Sequence, residues 1–413
     1  MPTALRRVVR IVRTRGVAGL LAAVLRRAVE RLDRHAAAGS RRPELLVRWD
    51  DALAVDWTQA APWQESPRAV VSERLRTAWI MHPPGESSGG HQNIFRFIAY
   101  LEAAGHQATI YLYDSFDRAV EPGRVQQMVA ASPSYPHVDA TFRMYAGAVD
   151  RDADVIVATG WETAYPAFRD PSLARRAYFV QDFEPGFYPV GSEHTLAENT
   201  YRFGFHGITA GDWLATMLAR DYGMRTTSFG FAADTSLYHL TNPAPRDEVF
   251  FYARPVTARR GFELGVMALE RLVQLRPEVT IHLAGWDVSE YDLQFPHVDH
   301  AAMKITQLND LYNRCGVGLV LSLTNLSLLP LELLAAGVIP VLNEGPNNRL
   351  VTGNPFIEYS EPTPAALARR MDEVLSRADL AEHAQAAAAS VGGDGWDASG
   401  ARFVAALEAV ARG

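Results

Sequence analysis

Glu248-Val249-Phe250-Phe251-Tyr252-Ala253-Arg254 reads as a strand, broken at Pro255 and followed by the basic turn Arg259-Arg260-Gly261 and an amphipathic helix. Further on, Gly318-Leu319-Val320-Leu321-Ser322-Leu323 gives a second apolar strand. It leads through Thr324-Asn325-Leu326-Ser327 into Leu328-Leu329-Pro330-Leu331-Glu332-Leu333-Leu334-Ala335-Ala336-Gly337. In an open parallel sheet, ligands sit beyond the carboxyl ends of the strands. Arginines at one such end and a lone carboxylate in the helix opening from another suit a diphosphate joined to a sugar.

The same alternation continues in both directions. Strands are expected at 280–284, 338–343 and 356–359, with helices at 261–275, 306–314, 328–336 and 364–377. Towards the amino end, strands are expected at 77–81, 108–113, 154–159, 177–181 and 207–210, and a helix from His91 follows the loop Ser87-Ser88-Gly89-Gly90. Strands alternating with helices imply α/β units and largely parallel sheets. Asn242-Pro243-Ala244-Pro245 is the best linker. The expected organisation is an extension and irregular connection over 1–75, one domain over 76–242, a second over 246–392 and a terminal helix over 393–413. Two doubly wound domains joined by a hinge face each other across a cleft, where ligands bind.

Bulk composition narrows the class. At 413 residues the chain exceeds one ordinary core. Its single cysteine, Cys315, excludes an internal disulfide and a multi-cysteine zinc site. Residues 1–42 hold eleven arginines against Glu30 and Asp33, a balance of +9, whereas the whole chain is −7, so the remainder carries −16. An acidic body argues against a nucleic-acid enzyme. Lys304 is the sole lysine, leaving arginine for every other positive site.

In the basic arm, Leu5, Val8, Val9 and Val12 repeat at helical spacing, as do Val17, Leu20, Leu21, Val24, Leu25, Ala28 and Leu32, with Arg6, Arg10 and Arg13 opposite. Such a helix docks on an anionic membrane surface or packs on protein. The charged stretch Arg26 to Arg34, between the apolar run and Ala36-Ala37-Ala38, is wrong for a secretory signal. No uncharged apolar run of about 20 residues suggests a span. The expected location is cytoplasmic, peripheral on the inner face of the cell membrane.

Individual residues carry the chemistry. Guanidinium groups grip phosphate oxygens in pairs and stay charged, so Arg254, Arg259 and Arg260 form a candidate diphosphate clamp; otherwise they are a solvated basic turn. Glu332 lies in an apolar helix, where an unpaired carboxylate is costly, so a ribose diol or a structural arginine should satisfy it. Asn325, Ser327 and the amides at Leu328 and Leu329 could hold phosphate at the same helix start. Gly89 and Gly90 permit close backbone approach. Asp182 and Glu184, after the strand ending at Gln181, could touch sugar hydroxyls or cap the next helix. His82 and His91 read as structural. The Asp152-Ala153-Asp154 pair precedes a strand, on the edge away from the ligand. Metalloprotease, serine-hydrolase and P-loop signatures are missing, and the retaining-glycosidase pair of carboxylates about 5 Å apart is not evident.

The motifs Ser88-Gly89-Gly90-His91-Gln92-Asn93-Ile94-Phe95-Arg96-Phe97, Tyr178-Phe179-Val180-Gln181-Asp182-Phe183-Glu184-Pro185, Phe205-His206-Gly207-Ile208-Thr209-Ala210 and Phe251-Tyr252-Ala253-Arg254-Pro255, with the 328–337 helix, carry a resemblance. Over residues 76–411 the chain resembles retaining GT-B glycosyltransferases of the family-4-like type, and more closely the WsaF-like bacterial rhamnosyltransferases. The resemblance implies transfer of a deoxyhexose, L-rhamnose from a dTDP donor, to a glycan or lipid-linked acceptor, without metal or other cofactor. It places Gly89 and Gly90 near the donor phosphates or sugar, and Arg254 with Arg259 or Arg260 on the diphosphate. Glu332 falls on the ribose, as the second carboxylate of a Glu-x7-Glu pattern, and Asp182 near the sugar. Thr324 stands where that pattern has its first Glu, and arginine replaces the usual lysine. An epimerase of the same architecture and a non-catalytic sugar-nucleotide or glycan-binding protein are the alternatives.

Overall fold

The computed structural model describes residues 43–86, 88–116, 118–391 and 395–413. The basic helix expected within 1–42 lies outside them. Leu46–Gly413 form one compact unit.

Two parallel sheets organise that body. The first takes β1 (Arg76–Met81), β2 (Gln107–Leu112), β3 (Thr141–Met144), β4 (Val155–Ala158), β5 (Arg175–Val180), β6 (His206–Ala210) and β7 (Arg225–Phe229) in the order β3-β2-β1-β4-β5-β6-β7. The second takes β8 (Glu248–Tyr252), β9 (Ile281–Ala284), β10 (Val298–Asp299), β11 (Cys315–Val320), β12 (Ile339–Asn343) and β13 (Glu358–Ser360) in the order β10-β9-β8-β11-β12-β13. Neighbouring strands run parallel throughout both sheets. The order reverses between β1 and β4 and between β8 and β11, which creates a crevice at the carboxyl end of each sheet.

Helices cover the sheets. Residues 43–75, expected as an irregular connection, contain α1 (Trp49–Ala54) and α2 (Pro62–Glu65). Trp63 is buried there, edge-on to Phe168 at 5.9 Å and Phe205 at 5.5 Å. The loop expected at Gly89 and Gly90 is instead the first turn of α3 (Gly89–Ala103), capped by the Ser88 side chain. The remaining first-sheet helices are α4 (Pro122–Ala131), α5 (Trp161–Arg169), α6 (Ser192–Asn199) and α7 (Asp212–Tyr222). In the second half come α8 (Phe262–Leu275), α9 (Ile305–Tyr312), α10 (Leu329–Ala335), α11 (Pro346–Arg349), α12 (Pro364–Leu375) and α13 (Leu380–Ala389).

The last helix, α14 (Gly395–Arg412), returns to the first sheet. Its Phe403 meets Phe97 at 4.8 Å, Phe179 at 5.6 Å, Trp79 at 6.0 Å and Phe229 at 6.1 Å. The chain therefore crosses between the two sheets twice. No helix among the described residues is long and apolar enough to cross a membrane.

Candidate functional site

The carboxyl edges of the two sheets meet. From the second sheet, Arg254 follows β8, and a 3-10 turn (Ala258–Arg260) precedes α8. Gly261, at φ 57°, lets the chain turn sharply between them. Arg254 donates to the Tyr252 hydroxyl at 3.0 Å and to Thr257 Oγ1 at 3.1 Å. Arg260 donates to Ser322 Oγ at 2.9 Å, and enclosure lowers its guanidinium pKa. Both arginines thus bond neutral oxygens, and neither forms an ion pair among the described residues. Arg259 differs, because it pairs with Asp182 of the first half at 3.1 Å and lies over the Phe187 ring at 4.0 Å.

The segment after β11 is held by amides. Asn343 Oδ1 accepts from the Ser322 amide at 2.8 Å, Asn347 Nδ2 donates to Thr324 O at 2.6 Å, and Asn348 Nδ2 to Asn343 O at 2.7 Å. Ser322 Oγ donates to Asn325 O at 2.8 Å. Sequence reasoning misses these anchors; their only signal is a group of asparagines beyond a strand end. Thr324 Oγ1 and Asn325 Oδ1 are buried without a hydrogen-bond partner.

Glu332 sits in the first turn of α10, half-buried on a helix whose other side chains are buried. Its carboxylate makes no hydrogen bond or ion pair among the described residues. Burial pushes its pKa up to about 7; Arg96 of α3 opposes the rise and Asp234 adds to it. The structural-arginine alternative is therefore reduced to Arg96, near enough to act electrostatically but not bonded. Arg96 itself lies on the Trp396 ring at 3.9 Å and donates to Asn93 Oδ1 at 3.0 Å. Buried Tyr312 packs edge-on to Phe250 of β8 at 5.0 Å. Arg246 caps the carboxyl end of α10, donating to Ala336 O at 2.9 Å.

Other expected residues have partners within the protein. Asp182, expected on a sugar, accepts from the Asn325 amide at 2.7 Å as well as from Arg259. Glu184 caps the preceding helix rather than the next, accepting from the Trp161 amide at 2.5 Å and the Tyr178 hydroxyl at 2.9 Å. Gly90 O accepts from Gln181 Nε2 at 3.1 Å, which ties the start of α3 to the end of β5. Ser327 and Leu328 precede α10, and Leu329 opens it. Asp154 accepts from the Arg76 amide at 2.8 Å and Asp152 pairs with Arg76 at 2.7 Å, so that pair is structural, on the far edge.

A carboxylate pair does exist in the first half. Glu162 Oε2 and Glu184 Oε2 lie 2.9 and 4.0 Å from where a Gly160 side chain would begin. Burial raises both pKa values, that of Glu162 to about 7, and each is helped by a neighbouring carboxylate. The two lie on separate elements, so no local pattern announces them. His82 Nε2 stands 4.0 Å from Glu162, and burial, aided by His91, lowers its pKa to about 4.

At the amino edge of the second sheet, Glu248, His282 and Cys315 place their donor atoms within 4.8 Å of one another. Both His282 ring nitrogens are engaged, with Glu248 at 2.7 Å and His300 at 2.9 Å, and Arg314 neutralises Glu248 at 3.0 Å. That cluster is structural. Two surface cavities of about 350 and 690 Å³ lie beside Arg76, Glu102 and Asp152, and beside Phe231, Leu331 and Arg402. Neither contains Arg254 or Glu332; the two halves meet at the seam through Asp182.

With this geometry in place, the relatives of the chain decide its family. Residues 115–210 match the domain family described as WsaF, N-terminal domain, and residues 247–372 match WsaF, C-terminal domain. The chain belongs to the WsaF family. A curated relative, the O-antigen biosynthesis protein RfbC of Myxococcus xanthus, is 34% identical over 382 residues, covering 88% of this chain. The chain spans only 29% of that relative's length. Among solved structures, HepE of Anabaena in complex with UDP-glucose superposes with a TM-score of 0.59 at 14% identity, covering 81% of this chain and all of that one. Sucrose-phosphate synthase of Thermosynechococcus elongatus gives 0.56 at 13%, covering 82% and 96%. These likenesses establish that this WsaF-family chain has the GT-B glycosyltransferase fold.

Proposed function

We propose that this WsaF-family protein is a glycosyltransferase that takes a sugar from a nucleoside-diphosphate donor and places it on a cell-surface glycan precursor. One observation carries the reading: on the carboxyl side of the second sheet, Glu332 of α10 has no bonded partner among the described residues, and Arg254 and Arg260 after β8 bond only neutral oxygens. A ribose diol supplies the donors that Glu332 lacks, and a diphosphate supplies the charge that the arginines lack. The relation to an O-antigen biosynthesis protein and the fold shared with a UDP-glucose complex support the same assignment.

The finer reading is an L-rhamnosyl donor carrying dTDP, transfer with retention, a lipid-linked acceptor and no metal ion. The arginines stabilise charge as it develops on the departing diphosphate. Within this reading the acceptor lies on the first half and the donor on the second. The arm within 1–42 holds the enzyme at an anionic membrane surface.

Mass analysis of products from dTDP-, UDP- and GDP-sugars with lipid-linked acceptors tests the proposal. Arg254→Ala is expected to lose up to about a thousandfold in turnover, the scale of removing one such electrostatic donor. Undiminished turnover in that variant removes the diphosphate clamp. Thr324, in place of a carboxylate and with an unsatisfied hydroxyl, favours one rival, a sugar-nucleotide-binding protein without turnover. Donor binding by calorimetry with no product from any acceptor selects the rival; isomerised sugar in donor-only incubations selects an epimerase.

A further inference from the structure

Asp182 occupies donors that an incoming phosphate would need. It follows β5 of the first sheet, yet its carboxylate accepts from the Asn325 amide at 2.7 Å and from Arg259 at 3.1 Å, both in the second half. Asn325 completes the seam, with Nδ2 donating to Gln181 O at 3.0 Å and to Ala210 O at 2.9 Å. Asp182 is only 8% exposed and Asn325 only 1%, so the contacts are shielded from solvent. Arg259, over the Phe187 ring, has no other side-chain acceptor among the described residues.

We propose that Asp182 is an intramolecular stand-in for the donor's phosphate, latching the empty cleft shut until a nucleoside diphosphate displaces it. The latch rests on the donor-site reading and adds how that site is controlled. Carboxylate and phosphate oxygens accept in the same way from a guanidinium and a backbone amide. One anion at a time can take Arg259 and the Asn325 amide in full. The closed seam also has a built-in cost, since Thr324 Oγ1 and Asn325 Oδ1 are buried in it unsatisfied. Two unsatisfied groups thus oppose closure, while the two charge-assisted contacts of Asp182 and the two Asn325 Nδ2 bonds hold it, and a competing anion removes the charge-assisted pair. Because only the unlatched fraction accepts donor, the latch raises the apparent Kd by the reciprocal of that fraction. Once displaced, Asp182 is left on the first-half edge of the cleft, facing whatever the diphosphate carries.

The test is titration calorimetry of the full chain with dTDP, UDP and GDP, and with dTDP-rhamnose, comparing wild type, Asp182→Asn and Asp182→Ser. Both variants should bind the preferred nucleoside diphosphate about five- to tenfold more tightly. By small-angle scattering, the empty variants should have a larger radius of gyration than empty wild type, and the difference should shrink on adding nucleotide. Melting curves taken alongside identify a variant that has not folded, and the other then decides. Unchanged or weaker nucleoside-diphosphate binding in the folded variants overturns the latch alone. Weaker binding of dTDP-rhamnose with dTDP unaffected assigns Asp182 to the sugar and also overturns it. No nucleotide bound by any form, wild type included, overturns the donor-site reading and the latch together.

Discussion

Glu332 couples folding, binding and pH through one carboxyl group. Its pKa is pushed up to about 7, chiefly by burial. With the folded pKa raised above the unfolded one, the stability it contributes is fully present below about pH 4.5 and is lost as pH rises to about 7. Glu332→Gln should therefore raise the melting temperature at pH 8, by the equivalent of about 1–3 kcal/mol, and change little at pH 4. A ligand whose hydroxyls donate to the carboxylate favours the ionised form and lowers that pKa. Nucleotide affinity should then increase from pH 6 to pH 8 in wild type, and Glu332→Gln should flatten the profile; calorimetry across that range reads both. A residue of this kind is legible in the sequence because a lone acid in an apolar helix stands out against its neighbours. Asp182 is legible as a polar residue at a strand end, but not as an ion-pair partner, since Arg259 lies 77 positions away.

Helices and strands owe their placement to positions where a side chain cannot fit. Gly265 of α8 lies against Phe251 of β8, and a Cβ there would fall 2.2 Å from the ring. That ring is stacked on Phe262 at 6.4 Å, so it has little room to yield. An alanine would improve helix propensity by about 1 kcal/mol but overpack the contact by about 1–3 kcal/mol. Gly265→Ala is expected to lower the melting temperature, and a stabilised variant would show that the sheet can recede. Strands with continuous apolar runs and helices with clear periodicity are legible to within a few residues, as for β8 and α8. The edge strands β3, β7 and β10 are not, because Thr141-Phe142-Arg143-Met144 and Arg225-Thr226-Thr227-Ser228 are half-polar and become strands only by pairing with a neighbour. The glycines at 89 and 90 mislead for a related reason: Ser88 caps a helix that they begin, and capping outweighs their low propensity.

Across the whole molecule, the final helix decides whether the first half can stand alone. Phe403 fills a pocket among Trp79, Phe97, Phe179 and Phe229, and Glu408 reaches His106 at 3.1 Å. Phe403→Ala should cost about 3–5 kcal/mol, and a chain ending at Val391 should aggregate, because it exposes that aromatic surface; a soluble, cooperatively melting truncation would contradict the packing. Two parallel α/β halves, the arginines at one strand end and the isolated acid on a neighbouring helix are all written in the amino-acid order, because local patterns of polarity repeat with the period of each element. Folding in three dimensions was needed to bring α14 onto the first sheet, to set Glu162 and Glu184 around Gly160, and to close Asp182 on Arg259. Those contacts join segments far apart in the chain, and no local period encodes which distant charge will be the partner.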